Sequence, residues 1–245
     1  MKMWRFLMPR NLGFTLKNAA HALVDKLQGN PPRPVMAAAY VREHATEGDP
    51  ASVLQTLDTF ARTRRWLMSV GPEKGPLIQE LAGRLPANPR VLELGAYCGY
   101  SAVMLASRYG TGAEVVSVEV NRHCVAAARD NVAFAGLSGQ VTVIHAPSEQ
   151  AIDTLEGKFD LVFLDHWKDL YLPDLKKLEA RRLVDAGTIV VADNVGEIFG
   201  AEPYLDYVRN CGRYTSENRP ATIEYTTLED AVEISTFTTA EAPGN

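Results

Sequence analysis

The sequence predicts a doubly wound α/β sheet, mostly parallel and finished by an antiparallel hairpin. Its 245 residues suit one large domain with a substantial core. Short β-branched or apolar runs alternate five times with helix-length amphipathic segments, a pattern that implies right-handed crossovers and parallel strands. Two more strand-like runs then follow one another across a short turn region.

Residues 1–33 read as a helical appendage ending in the turn-forming Gly29-Asn30-Pro31-Pro32, and residues 34–245 as the main domain. From 37 to 85 the pattern is helical, with candidate caps at Asp49 and Ser52 and an interruption at Gly71-Pro72. The strand and helix pairs follow: 90–95 with 101–109, 114–120 with 122–135, 141–146 with 149–155, 159–165 with 171–183, and 188–192 with 203–210. The hairpin is expected at 221–226 and 231–238, and the small, polar residues 240–245 are expected to be disordered.

Composition excludes several classes. The net charge is −5, and Lys and Arg are scattered apart from Arg62-Thr63-Arg64-Arg65 and Lys176-Lys177, so no nucleic-acid partner is expected. Cys98, Cys124 and Cys211 are too widely spaced for a disulfide framework or a zinc site, which points to a cytoplasmic protein. Arg5, Pro9 and Arg10 break up the amino-terminal apolar residues, so no signal peptide forms. The longest apolar run, 35–41, is far below the roughly 20 residues a membrane-spanning helix needs. Trp4, Phe6, Leu7 and Phe14 suit packing of an amino-terminal helix onto the domain better than an interfacial role. Monomer and weak dimer both remain compatible with the sequence.

In a doubly wound sheet, ligands sit at the carboxyl ends of the strands. The first strand runs into Glu93-Leu94-Gly95-Ala96-Tyr97-Cys98-Gly99-Tyr100-Ser101. Tyr97 stands where a dinucleotide fingerprint needs a middle glycine, so a pyrophosphate is not expected. A sulfonium nucleoside such as S-adenosylmethionine tolerates a side chain there. Glu119, at the end of the second strand, is placed to accept ribose hydroxyls, or else to serve as a helix N-terminal carboxylate. Ser101 divides evenly between an N-cap and a contact to the methionine carboxylate.

The fourth strand ends at Asp165 and the fifth at Asp193-Asn194. Asp193 or Asn194 alone reads as a cap of the following helix, but together with Asp165 they make three hard oxygen donors from adjacent strand ends, which suit magnesium. Lys168 lies in the same loop. A lysine with an ordinary pKa of about 10.4 becomes a base only if burial and a nearby cation lower that value. Trp66 and Trp167 are candidate walls for an aromatic ring, and Met68 a neighbour of the sulfonium methyl, with core packing as the plainer reading.

The segments VLELGAYCGYSAVMLA, VEVN, VFLDHWKDLYLPD, VVADNV and IEY resemble catechol O-methyltransferase, with similarity from about residue 40 to about 238. The resemblance implies a seven-stranded Rossmann-like domain that transfers a methyl group from S-adenosylmethionine to a catechol whose two oxygens are chelated by Mg2+. It implies Asp165, Asp193 and Asn194 as metal ligands, Lys168 as general base and Glu224 as the acid bonding the second hydroxyl. Val70, Gly95, Tyr97, Ser101, Glu119, Ser148 and His166 match cofactor positions, with Glu93, Glu149 and Asp165 taken beside them. Trp66, Met68, Trp167, Lys168, Asn194 and Glu224 match substrate- or methyl-side positions. Two features depart from the family: Gly196-Glu197-Ile198-Phe199-Gly200 lacks the gating proline of the animal enzymes, and Glu149 replaces a usual glutamine. Caffeoyl-type or flavonoid diphenols are alternative substrates, and a non-catalytic cofactor-binding protein is the alternative class.

Overall fold

The computed structural model describes residues 9–238. The expectations for Trp4, Phe6, Leu7 and the tail 240–245 lie outside the described residues. Four helices come first: α1 (Pro9–Gln28), α2 (Arg33–His44), α3 (Pro50–Thr63) and α4 (Gly71–Gln79). Asp49 caps α3 by accepting from the Ala51 and Ser52 amides at 3.0 and 3.2 Å. Ser52 is no cap; its hydroxyl accepts from the Thr46 amide at 2.9 Å. Gly71-Pro72 begins α4 rather than merely interrupting a helix, because proline is tolerated in a first turn.

The alternating units then run β1 (Arg90–Leu94), α5 (Tyr100–Tyr109), β2 (Glu114–Glu119), α6 (Arg122–Phe134), β3 (Val141–His145), α7 (Ser148–Thr154), β4 (Leu161–Leu164), α8 (Tyr171–Ala180), β5 (Ile189–Ala192) and α9 (Glu202–Asn210). Strands β6 (Tyr214–Thr222) and β7 (Glu229–Phe237) close the chain. They form one seven-stranded sheet in the order β3-β2-β1-β4-β5-β7-β6, parallel except for the antiparallel β7 and β6 pairings.

The hairpin departs from its predicted bounds. Its first strand begins at Tyr214, and residues 223–228 connect the two strands. The sequence misleads here because β6 is an outer strand, mostly half-buried or exposed and polar, with Pro220 tolerated at the edge. The apolar run after residue 221 belongs instead to the turn that reaches the functional rim.

Alternation along each strand feeds two cores. Val91, Val115, Leu161, Phe163 and Val191 pack on one face with residues of α2 to α6. Leu92, Leu94, Val118, Val162, Leu164 and Val190 pack on the other with α7, α8 and α9. Phe163 is fully buried at the centre of the sheet. Phe163→Ala is expected to cost about 3–5 kcal/mol of stability. Urea denaturation checks this through a lower midpoint with an unchanged slope.

Candidate active site

Register sets the site. Leu94 pairs with Val118 and Leu164, and Leu164 with Ala192. The parallel strands therefore end level, and the residues after them form one rim at the switch point between β1 and β4. Because β7 is antiparallel to β5, its start meets the end of β5, and the β6–β7 connection arrives at the same rim.

One half of the rim is a cavity of about 970 Å³. Gly95, Tyr97, Glu119, Ser148, Glu149, Asp165, His166, Trp167, Lys168, Asn194 and Met68 are among its lining residues. Gly95 has φ +107°, and a Cβ there would lie 2.6 Å from the Asp165 carbonyl oxygen, so the β1 and β4 loops approach as only glycine allows. The Glu119 carboxylate accepts from the amides of Tyr97 at 2.9 Å and Asn121 at 2.8 Å, holding the β1 turn against β2. Tyr97 itself adopts φ 45°, a strained conformation of the kind that clusters at ligand clamps. Beneath the turn, Glu93 is fully buried with Oε1 unpartnered, and burial pushes its carboxyl up to about 7 against hydrogen bonds from Ser101 and Ser117. His166 Nε2 pairs with Asp174 at 2.8 Å, while its buried Nδ1 has no partner. Burial holds this imidazole below its ordinary range.

The other half is a buried charge cluster. Lys74, in α4, is fully buried. Its Nζ donates to both Asp193 oxygens at 2.6 and 2.8 Å and to Asp230 at 3.0 Å, and it pairs with Glu224. The close approach of α4 uses Gly71, where a Cβ would sit 3.1 Å from Glu224 Cγ. Asn194, at φ 53°, donates through Nδ2 to Asp230 at 2.8 Å and accepts at Oδ1 from Lys168 at 3.3 Å. Lys168 Nζ also reaches the Tyr171 hydroxyl at 2.6 Å and stands 3.7 Å from Asp165. Tyr171 in turn lies 2.7 and 2.9 Å from the Leu164 and Asp193 carbonyls, so the loop base is anchored to both strand ends.

Four carboxylates face two ammonium groups here, an excess of acid taken out of water. Burial first, then Asp193, pushes the Asp165 carboxyl up to about 8. Burial likewise raises Glu224 to about 8, although Lys74 opposes the shift. Burial lowers Lys168, although Asp165 and Asp193 pull it back up. Desolvation also acts to lower Lys74, but Asp193, Glu224 and Asp230 outweigh it and hold its ammonium well above the usual range.

The O-methyltransferase family pattern matches residues 43–202. The chain belongs to this family, one of S-adenosylmethionine-dependent O-methyltransferases. "Catechol O-methyltransferase B" from Danio rerio is 43% identical over 211 residues, covering 84% of this chain and 79% of that protein. The Bos taurus catechol O-methyltransferase is 40% identical over 200 residues, covering 79% and 72%. Among solved structures, the Bacillus cereus O-methyltransferase in complex with SAH superposes with a TM-score of 0.65 at 20% identity, covering 77% of this chain and 90% of that one. TomG from Streptomyces achromogenes, in complex with SAM, gives 0.62 at 21%, covering 90% and 96%. These last two likenesses concern the fold.

In this O-methyltransferase most of the sequence-predicted residues meet at the rim, but not all line the cavity. Val70, Glu93 and Ser101 are buried and are not among its lining residues. Ser101 is not the cap of α5; Gly99 holds that position. Asp193 and Glu224 are nearly fully buried and turned toward Lys74. Trp66 is not among the lining residues of the cavity; its ring packs edge-on against Phe14 with centroids 5.1 Å apart, and its Nε1 donates to the Glu224 carbonyl at 2.9 Å. Trp167 and Met68 do line the cavity, yet they are 69% and 51% exposed, so they stand at its mouth.

Sequence reasoning missed Lys74, Asp230, Tyr171 and Asp174. Lys74, in a Gly-Pro-Glu-Lys-Gly stretch, has the local look of a surface lysine. Asp230 carried a usable signal, since it shares the period of the inward-facing Val232 and Ile234.

The raised carboxyls set a pH dependence. Unfolded carboxyls titrate near about 4, so between that value and about 8 the folded, metal-free enzyme binds more protons than the unfolded chain, and stability falls as pH rises across this window. Lys74→Met leaves three carboxylates unpaired and is expected to cost about 3–5 kcal/mol at alkaline pH and less under acid conditions. Denaturation at several pH values checks both; a variant as stable as wild type at alkaline pH contradicts the cluster's role.

Proposed function

We propose that this enzyme transfers a methyl group from S-adenosylmethionine to one hydroxyl of a catechol held on Mg2+. The observation that carries the reading is the neighbourhood of Lys168, with its depressed pKa, Asn194 and Asp165 at the cavity wall, beside Asp193 and Glu224.

The donor set fits a hard divalent cation. Asp193, Glu224 and Asp230 offer oxygens within 4.8 Å of one another, but Lys74 Nζ already stands among them. On this reading Asp165, Asp193 and Asn194 would hold the metal, Asp193 while also accepting from Lys74 and Asn194 while accepting from Lys168, and the buried carboxylates around them support a hard cation. When bound, the ion supplies orientation and acidity to the two catechol oxygens. The cavity lining supports the nucleoside cofactor: on this reading Glu119 takes the ribose hydroxyls, Glu149 the adenine amine, and Gly95, Tyr97, Ser148 and His166 form the remaining wall. The buried Val70, Glu93 and Ser101 belong to the same proposed cofactor side.

Lys168 takes the proton from the hydroxyl that is to be methylated. Its neutral form is favoured by burial, and the Tyr171 contact holds Nζ on the rim. Glu224 accepts a hydrogen bond from the second hydroxyl or, protonated near its raised pKa of about 8, donates one. A step in which a sulfonium and a phenolate lose their charges together is favoured when the reacting atoms are held in line and water is kept from them. Met68 and Trp167 stand at the mouth beside the substrate ring, with Trp66 fixing Glu224 from behind. The open mouth also supports bulkier vicinal diphenols, so caffeoyl and flavonoid types are the second reading. The three free cysteines suit a cytoplasmic setting.

Methylation of simple catechol, with magnesium and with EDTA, tests the function. Activity should appear with magnesium and vanish with chelator. Lys168→Met should lower kcat by roughly 10²–10⁴-fold while leaving cofactor affinity near wild type. Chelator-resistant turnover, or full kcat without Lys168, contradicts the reading.

A further inference from the structure

Helix α1 is amphipathic in an unusual sense. The side it turns to the body is polar and aromatic, with Phe14, Asn18 and Asp25 half-buried. Phe14 meets Trp66, Asn18 accepts from Arg33 at 3.1 Å, and Asp25 pairs with Arg65 at 2.8 Å. The opposite side carries Leu12, Leu16, Leu23 and Leu27, whose spacings of four, seven and four residues make one stripe at helical period. These leucines are 41%, 60%, 58% and 77% exposed, with exposed Ala19 and Ala20 between them. A surface helix normally presents its polar side to water; a continuous apolar stripe facing outward marks an interaction surface.

Charge identifies the occupant. Residues 1–28 carry Lys2, Arg5, Arg10, Lys17 and Lys26 against the single acid Asp25, whereas the whole chain has net charge −5. Arg65 already pairs with that one acid. Where the helix meets the body, Lys17, His21, Arg62, Arg64 and Arg65 line a cleft of about 400 Å³ together with Phe14 and Asn18. The field there is positive enough that Arg65, Lys17 and Arg33 add to burial in holding the His21 imidazole below its ordinary range. A second copy docking through this stripe would bring two such basic segments together, which like charges oppose. An anionic bilayer surface meets both demands, since its acyl boundary takes leucines and its headgroups take lysines and arginines. No helix among the described residues is long and apolar enough to cross a membrane, so the contact is one of lying flat.

We propose that α1 seats this enzyme on anionic phospholipid membranes, with Leu12, Leu16, Leu23 and Leu27 in the headgroup–acyl boundary and the surrounding basic residues on lipid phosphates. The seat is mechanically tied to the site, because Phe14 packs on Trp66 and Trp66 holds the Glu224 carbonyl.

The test is co-sedimentation of the full chain with vesicles of phosphatidylcholine alone and with added phosphatidylserine. Binding should appear with phosphatidylserine, weaken at high salt as screening sets in, and fall at least roughly tenfold in Leu16→Asp/Leu23→Asp. Both positions face solvent, so the variant should keep the wild-type melting temperature and catechol turnover in vesicle-free buffer. Equal sedimentation with neutral vesicles, or no loss in a folded variant, overturns the proposal. So does a concentration-dependent dimer that the variant abolishes while vesicles bind neither protein, which would assign the stripe to a second copy. Vesicle binding can fail while methylation succeeds, so this result is independent of the functional reading.

Discussion

The rim of this protein depends on Lys74, a fully buried ammonium set among Asp193, Glu224 and Asp230. Without it, three carboxylates brought together from the end of β5, the β6–β7 connection and the start of β7 would repel one another in a medium that screens poorly. With it, each is held in one orientation, and Asn194 is fixed in turn through its bond to Asp230. The lysine is supplied by α4, which lies ahead of the alternating core in sequence, so the helical layer before β1 takes part in building the site as well as covering the sheet.

One lysine does not balance three acids, and Lys168 does not fully balance Asp165. Burial, joined by repulsion from Asp193, raises the carboxyls of Asp165 and Glu224 to about 8. Near neutral pH these two carboxyls keep their protons, which offsets the excess of buried acid, and a divalent cation held there would displace those protons. The same excess keeps Lys168 in competition between two influences: burial favours the neutral amine and its acidic neighbours favour the ammonium. On the function proposed above, a cation taken up on the acids would weaken the second influence, and metal binding would be coupled to the protonation of Lys168 through the same few carboxylates.

The alternation of strand and helix, and the level strand ends that put Gly95, Glu119, Asp165 and Asp193 on one rim, were legible in the sequence because periodicity and topology determine them. What was not legible depends on contacts between distant segments. Lys74 and Asp193 lie 119 positions apart, and no local pattern near Lys74 announces burial. The polar β6 concealed itself as an edge strand, so the hairpin was placed too late in the chain, and Trp66 was assigned to a substrate wall before its packing against Phe14 in α1 could be known. The strained backbones of Tyr97 and Asn194 were equally invisible, since side-chain patterns carry little information about φ.

Calorimetric titration of magnesium into the cofactor-free protein near about pH 7, in buffers of different ionisation enthalpy, addresses the charge imbalance directly. Carboxyls that titrate at about 8 must ionise to hold the ion, so the account predicts saturable binding with net proton release, reduced in Asp165→Asn. Saturable binding without proton release, or no binding at all, would contradict it.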